Sequence, residues 1–515
     1  METHRLVIGG DLVDAASGET FDSIDPSTGQ PFAAVAKAGK EDVARATEAA
    51  RKAFDEGPWP RMKGRDRAKA LLAVADGIKK AAGELAETES RDSGGTIRKS
   101  KNADIGMAIS TFRVFSELAS REDLDEEPLP RSPISYNYLR REPFGVCAAI
   151  TPWNFPLQMA AWKIAPAIAA GNAVILKPAS FTPLTSIMVG RLCLEAGIPE
   201  GVVNVLPGPG AAAGEELVAS PLVDKIAFTG STEVGRRIMQ LASGTVKKVT
   251  LELGGKSPSI VTDGADLEYA VEGVLWGVFF HQGQVCSAGT RLFLQRSMFD
   301  DFFAALVKRA EDLRVGPALD PGSDLGPVVA QSQLETVERY VEMGRSEGAE
   351  VVLGGERAVV EGHAGGYYYR PTILQGVDNS MKVAQEEIFG PVLVVIPFED
   401  DDEAVRLAND SIYGLAGAVW SADVPRAVSI AERLRTGTVW INDYHMINPR
   451  YPFGGYKQSG IGREHGTLGY NEYREVKHIH VDLAGGRAKH PWWDTLLPRA
   501  GQMGTPPRGE SRPGG

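Results

Sequence analysis

Cysteine is scarce. Three thiols, Cys147, Cys193 and Cys286, are spread over 515 residues, with no CxxC and no Cys/His cluster. An odd number at wide spacing speaks against a disulfide framework or a zinc site, so no metal is expected. Also missing is any run of about eighteen apolar residues, the length that a transmembrane helix needs. The first ten residues, Met-Glu-Thr-His-Arg-Leu-Val-Ile-Gly-Gly, lack the long apolar core of a secretory signal. Basic charge is in deficit: 55 Lys and Arg stand against 67 Asp and Glu, a net charge of −12. That balance argues against nucleic acid or an anionic membrane as a partner. A cytoplasmic protein in a reducing compartment is the expectation.

What is present has ordinary globular texture, with 43% hydrophobic and 24% charged residues. The chain is too long for one core, and two or three domains are expected. Val43, Ala46, Ala50, Ala53 and Phe54 fall at helical spacing over 41–56 and are stopped by Gly57-Pro58. Leu71, Leu72, Ala75, Ile78 and Leu85 repeat the pattern over 65–90. Residues 123–134 are acidic, then Pro-rich, and read as a connector. From 145 strands and helices alternate. Val146–Ile150, Ala173–Leu176, Val202–Leu206 and Ile226–Phe228 read as strands, and Leu157–Ile168 and Thr185–Ala196 as helices. The alternation predicts an α/β fold, a parallel sheet wound with helices, of nucleotide-binding architecture. Alternation between 257 and 445 is enough for a second α/β domain. Beyond about 483 the composition predicts a largely flexible tail, although His490-Pro491-Trp492-Trp493 carries enough apolar surface to dock.

Three segments carry chemistry. Phe280-His-Gln-Gly-Gln-Val-Cys-Ser-Ala-Gly-Thr-Arg291 places Cys286 in a short polar break, flanked by glycine, after the apolar run Val274 to Phe280. Leu251-Glu252-Leu253-Gly254-Gly255-Lys256 sets a carboxylate between two leucines, and Thr151-Pro152-Trp153-Asn154-Phe155-Pro156 supplies an amide. A thiolate adds to a carbonyl carbon and forms a covalent adduct. The adduct's oxyanion needs a positioned donor, such as an amide NH2. The resulting thioester needs water and a general base. Cys286, Asn154 and Glu252 supply these roles for covalent oxidation of an aldehyde. The hydride acceptor has to be a cofactor, because no side chain can serve.

Other motifs are ambiguous alone. Phe228-Thr229-Gly230-Ser231-Thr232-Glu233-Val234-Gly235 follows a strand and opens a helix over Val234 to Leu241. It reads either as a phosphate site at a helix N-terminus or as a capped strand-to-helix turn. Gly208-Pro209-Gly210-Ala-Ala-Ala-Gly214 mimics a dinucleotide fingerprint, with one residue too many and a proline inside. Lys177 stands at a strand end, where ligands bind in parallel sheets. Gln385-Glu386-Glu387-Ile388-Phe389-Gly390-Pro391 could be a solvated acidic turn.

Together with Pro452-Phe453-Gly454-Gly455-Tyr456-Lys457-Gln458-Ser459-Gly460, these segments resemble the aldehyde dehydrogenase superfamily from about residue 20 to 480. The resemblance implies an aldehyde dehydrogenase-like α/β fold. A Rossmann-type cofactor domain would take 1–122 and 144–254, and an α/β catalytic domain 255–458. A small bridging β-sheet would take 123–143 and 459–483 and make homodimers or homotetramers, leaving 484–515 as the tail. NAD or NADP would be held by Ile150, Thr151, Pro152, Trp153, Lys177, Ser180, Gly210, Gly214, Phe228, Gly230, Ser231, Val234, Leu253, Glu387 and Phe389. In such enzymes the 228–235 octet lies at the pyrophosphate, Gly210 and Gly214 near the adenine end, Lys177 at the adenosine ribose, and Glu387 and Phe389 at the nicotinamide end. Many NAD-specific members carry Glu where Ser180 stands. Ser180 does not repel a 2′-phosphate and can donate to it, so use of both cofactors is expected.

The presence of Glu252 favours release of a free acid over transfer to coenzyme A. Trp162 and Phe453 match aromatic positions of the family's substrate tunnel, and Phe155 and Met159 share their segment with Trp162. The loop from Asp443 to Tyr451 should border the tunnel. Betaine aldehyde enzymes tend to carry an aromatic near Ile447; an aliphatic residue there weakens a quaternary-ammonium cage. Arg450 could bind the distal carboxylate of a semialdehyde, or be a solvated or interface arginine. Two readings of another class are a thiol esterase without redox chemistry and a non-catalytic binding protein of the same fold. The latter would have been suggested by loss of Cys286, Asn154 or Glu252, and all three are present.

Overall fold

The computed structural model describes residues 3–121, 135–483 and 485–498. It divides into a unit of residues 1–122 with 143–475 and a smaller unit of 123–142 with 476–515. Two sheets organise the larger unit. In the first, Lys248–Glu252, Lys225–Thr229, Val146–Ile150, Ala173–Lys177 and Val203–Val205 lie side by side and parallel. All of Ala173–Lys177 is buried. Burial on both faces is why these strands read as apolar runs without alternation. In chain order, the first three strands are laid down to one side and the last two to the other. The direction reverses between Val146–Ile150 and Lys225–Thr229, and a ligand crevice opens beyond the carboxyl ends at such a switch point. Leu6–Ile8 and Asp11–Val13 close one edge, and Gly460–Ile461 closes the other, with Gly460 opposite Glu252.

The helix Pro156–Ala169 follows the first switch-point strand and is buried at every position. Its sequence is apolar on all faces, as a helix inside a core must be, and Pro156 takes the first turn, where its missing N–H is no loss. The helical pattern over 65–90 is broken in two, Gly64–Lys80 and Ala82–Ser93, with Ala81 outside helical geometry at the joint. The second sheet orders Glu350–Leu353, Thr372–Gln375, Val392–Phe398, Arg291–Gln295, Pro258–Val261, Ala416–Trp420 and Thr438–Ile441. All but the first of these run parallel. No helix among the described residues is long and apolar enough to cross a membrane.

Ser135–Pro143 and Arg474–Asp482 form a separate two-stranded sheet. The 459–483 segment therefore serves two sheets, since Gly460–Ile461 pairs with the first. In the smaller unit the start of the tail is compact. Arg487 donates to Asp494 and to the Leu497 carbonyl, and His490 stacks on Trp493 at 4.5 Å. The tail from 499 onward and the connector at 123–134 lie outside the described residues.

Candidate active site

The catalytic turn begins where the helix Leu267–Phe279 stops. His281 (φ 51°), Gln282 (φ 56°) and Gly283 (φ 71°) then run left-handed in succession. Glycine is required at 283, because a Cβ there would stand 2.1 Å from the Gly390 carbonyl oxygen. The turn delivers Gln284, whose carbonyl accepts a 2.8 Å hydrogen bond from the Asn154 amide nitrogen. The Gln284 side chain accepts from Val329 N–H at 3.0 Å. Asn154 thus has its amide orientation fixed, with one N–H engaged and a second left to donate. Two residues past Gln284 lies Cys286, half-buried.

Cys286 and Glu252 line one cavity. Burial pushes the Cys286 thiol up to about 12, helped by the nearby Glu387 and Glu252 carboxylates. Glu252 ends the strand Lys248–Glu252 and is 5% exposed. Burial holds its carboxyl well above the usual range; Glu464 adds to that, and Lys163 and Arg463 oppose it. Lys163 and Glu464 form a buried ion pair behind it. One Glu252 oxygen has no hydrogen-bond partner, and the other faces bare backbone, 2.6 Å from where a Cβ on Gly454 would stand. A carboxyl raised above its ordinary range, with one oxygen unpartnered, is suited to taking a proton from water.

Two groups of the predicted cofactor residues stand at the switch point. Ile150, Thr151, Pro152 and Trp153 leave one strand there, and Gly230, Ser231 and Val234 leave the other. Ser231 accepts from Val234 N–H at 3.3 Å and caps the helix Thr232–Ala242, so the capped-turn reading holds and the helix N-terminus still faces the crevice. Phe228 packs against Gly230, and Leu253 packs beneath Gly235. The Thr151 hydroxyl is buried without a partner, and Val234 is 46% exposed. An orphaned hydroxyl, an open apolar side chain and a helix N-terminus at one switch point fit a dinucleotide. Lys177 donates to the Pro178 carbonyl at 2.9 Å and is lowered to about 8 by burial, with Gly214 against its stem; Gly210 is exposed. Ser180 differs from expectation: its hydroxyl donates to the Gly208 carbonyl at 2.9 Å, so its one proton is already engaged. Trp153 meets Phe389 edge-on at 5.1 Å. Glu387 accepts from Gly255 N–H at 3.0 Å and is raised by burial to about 7.

The cavity measures about 1230 Å³, and its walls include Phe155, Met159, Trp162, Ile447, Arg450 and Phe453. Trp162 and Phe453 meet edge-on at 5.8 Å. His445 of the 443–451 loop lines it too; Met107, Phe280 and Val285 also line it and were missed in the sequence, as was the Lys163–Glu464 pair. Phe280 adjoins the catalytic motif and had a signal; the ion pair joins residues 301 apart and had none. Arg450 is bound by both oxygens of Glu117, at 2.7 and 2.8 Å.

A sequence model of the aldehyde dehydrogenase family matches residues 12–479. The chain belongs to this family. It is 47% identical to a betaine aldehyde dehydrogenase of Bacillus subtilis over 93% of its own length and 97% of that protein. A betaine aldehyde dehydrogenase of Staphylococcus aureus solved with NAD+ superposes with a TM-score of 0.91 at 41% identity, covering 94% of this chain and 95% of that one. An aldehyde dehydrogenase from Bacillus cereus in its NAD+ complex gives 0.91 at 42%, covering 93% and 97%. The chain is an NAD(P)+-dependent oxidoreductase that converts an aldehyde to the carboxylic acid, with Cys286 as its catalytic cysteine.

Proposed function

We propose that the substrate is an uncharged aldehyde with an apolar or aromatic body, released as the free acid. The observation that carries this reading is the shared cavity: Cys286 and Glu252 open onto aromatic walls, and every lining cation is already paired. Arg98 faces Asp324, Lys99 faces Asp104, Arg113 faces Asp76, Arg309 faces Glu272 and Arg450 faces Glu117. A semialdehyde's carboxylate would have to displace Glu117 from Arg450. A permanent cation, as in betaine aldehyde, would meet Trp162, Phe280 and Phe453 but aliphatic Ile447.

In this reading Cys286 forms the carbon–sulfur bond and Asn154 donates its free N–H to the oxyanion. Glu252 takes the proton of the water that cleaves the thioester. Bound NAD(P)+ supplies the hydride acceptor. Ile150, Thr151, Pro152, Trp153, Lys177, Ser180, Gly210, Gly214, Phe228, Gly230, Ser231, Val234, Leu253, Glu387 and Phe389 would hold it, and Ser180, lacking a carboxylate, leaves NADP usable. The scarcity of cysteine supports a cytoplasmic setting, and the small two-stranded sheet supports a homodimer or homotetramer.

The test is NAD(P)H formation with hexanal, benzaldehyde, betaine aldehyde and succinic semialdehyde, each with NAD and with NADP. The first two should exceed the charged pair in kcat/KM by roughly tenfold or more. NADP should serve at least comparably to NAD. A preference for betaine aldehyde or the semialdehyde overturns the substrate reading.

A further inference from the structure

A buried charged pair sits in the wall of this cavity, among its aromatic side chains. Lys99 and Asp104 form a 2.7 Å ion pair, with side chains 2% and 0% exposed. They are five residues apart. In an α-helix such positions point about 140° away from each other, at 3.6 residues per turn. The backbone solves this with a π turn over Ser100–Asp104, in which the Ile105 N–H bonds the Ser100 carbonyl. Turns of this kind recur at functional sites.

Asp104's other oxygen accepts from the Gln158 amide at 2.7 Å. A carboxylate only accepts, so the Gln158 nitrogen must face it and the Gln158 oxygen must face away. Gln158 is 8% exposed and Lys99 5%, and both line the cavity, whereas Asp104 stands behind them. The Lys99 ammonium also lies 4.3 Å over the Phe155 ring, itself part of the tunnel. Replacing a buried ion pair by apolar residues is often neutral or stabilising, so stability alone does not explain this one.

We propose that Lys99 and Gln158, held by Asp104, form a polar subsite that receives a hydroxyl group on the non-reacting part of the aldehyde. This rests on the aldehyde-oxidising reading of the same cavity and narrows it. A hydroxyl can accept from the ammonium and donate to the amide oxygen at once. A hydrocarbon leaves the spare N–H donors of Lys99 and the Gln158 oxygen without a partner, and a carboxylate meets the Gln158 oxygen and the Asp104 charge.

The test compares kcat/KM for matched pairs: lactaldehyde against propanal, and meta-hydroxybenzaldehyde against benzaldehyde. The wild-type enzyme should favour the hydroxylated member of at least one pair by roughly tenfold, the scale of a hydrogen bond to a charged group. Gln158→Leu should bring that ratio close to one, by raising KM for the hydroxylated substrate more than for its parent. The double variant Lys99→Met with Asp104→Asn removes both charges together, leaves no lone buried ion, and should lower the ratio as well. Wild-type ratios near one, or a preference that survives in both variants, overturn the subsite while leaving aldehyde oxidation standing. No turnover of any aldehyde overturns the underlying reading, and the subsite with it.

Discussion

Glu252 and Asn154 act on opposite halves of the proposed reaction, and their surroundings say how to tell them apart. Glu252→Gln keeps the shape and removes the base. One turnover of NAD(P)H should still form while acyl-enzyme accumulates on Cys286, visible by mass spectrometry. The steady-state rate should fall. Because burial raises the Glu252 carboxyl, the wild-type rate should climb with pH above the ordinary carboxylate range, and Glu252→Gln should lose that limb. Asn154→Ala should slow the first step, by roughly 3–4 kcal/mol. An unchanged steady-state rate in the Gln variant would remove Glu252 from the mechanism. At this scale much was legible from sequence. Cys286, Glu252 and Asn154 stood in local motifs with unusual flanks. Ser180 was legible as a residue, but its bond to the Gly208 carbonyl was not, since it depends on a loop 28 residues away.

Helix starts show a different economy of charge. Both oxygens of Glu89 accept from Leu157 N–H at 3.2 Å, at the start of the helix that follows Asn154, and Thr185 donates to Glu89 at 2.6 Å. Asp92 accepts from Leu184 N–H at 3.0 Å. Helix N-termini favour anions, yet burial wins, raising Glu89 to about 8 and Asp92 to about 7. A carboxyl raised in the fold contributes stability that is full below its unfolded pKa, near 4. That contribution is lost as pH rises through about 7 to 8. Thermal midpoints should therefore fall between about pH 5 and about pH 8, and Glu89→Gln should flatten the fall. An equally steep profile in the variant would refute this assignment. The strands and most helices were visible in sequence because burial on both faces leaves apolar runs. The π turn was invisible, since Ser100-Lys101-Asn102-Ala103-Asp104 carries no glycine or proline to mark it.

For the whole molecule, assembly is the open prediction. A lone two-stranded sheet is marginal in water. Val476, Leu483, Trp492 and Leu496 of the smaller unit are 57%, 62%, 54% and 83% exposed. Light scattering should give two or four times the 55.2 kDa chain mass. Removal of residues 474–515 should reduce the assembly to single chains. A monomeric full-length chain would contradict the proposal. The two large sheets, each wound with helices, were readable from the alternation of strand and helix patterns. The edge strand Gly460–Ile461 was not, because two residues hold no periodicity.

The left-handed stretch ahead of Cys286 has a consequence for the fold as a whole. Each L-residue other than glycine forced into that hand gives up about 1–2 kcal/mol, and His281 and Gln282 both do so. Net stability of a folded protein is only about 5–15 kcal/mol. Two adjacent residues in left-handed backbone conformation thus cost a sizeable share of it. These two residues set the direction of the chain just ahead of Gln284, whose carbonyl holds the Asn154 amide. The nucleophile follows a costly turn that the rest of the fold has to offset.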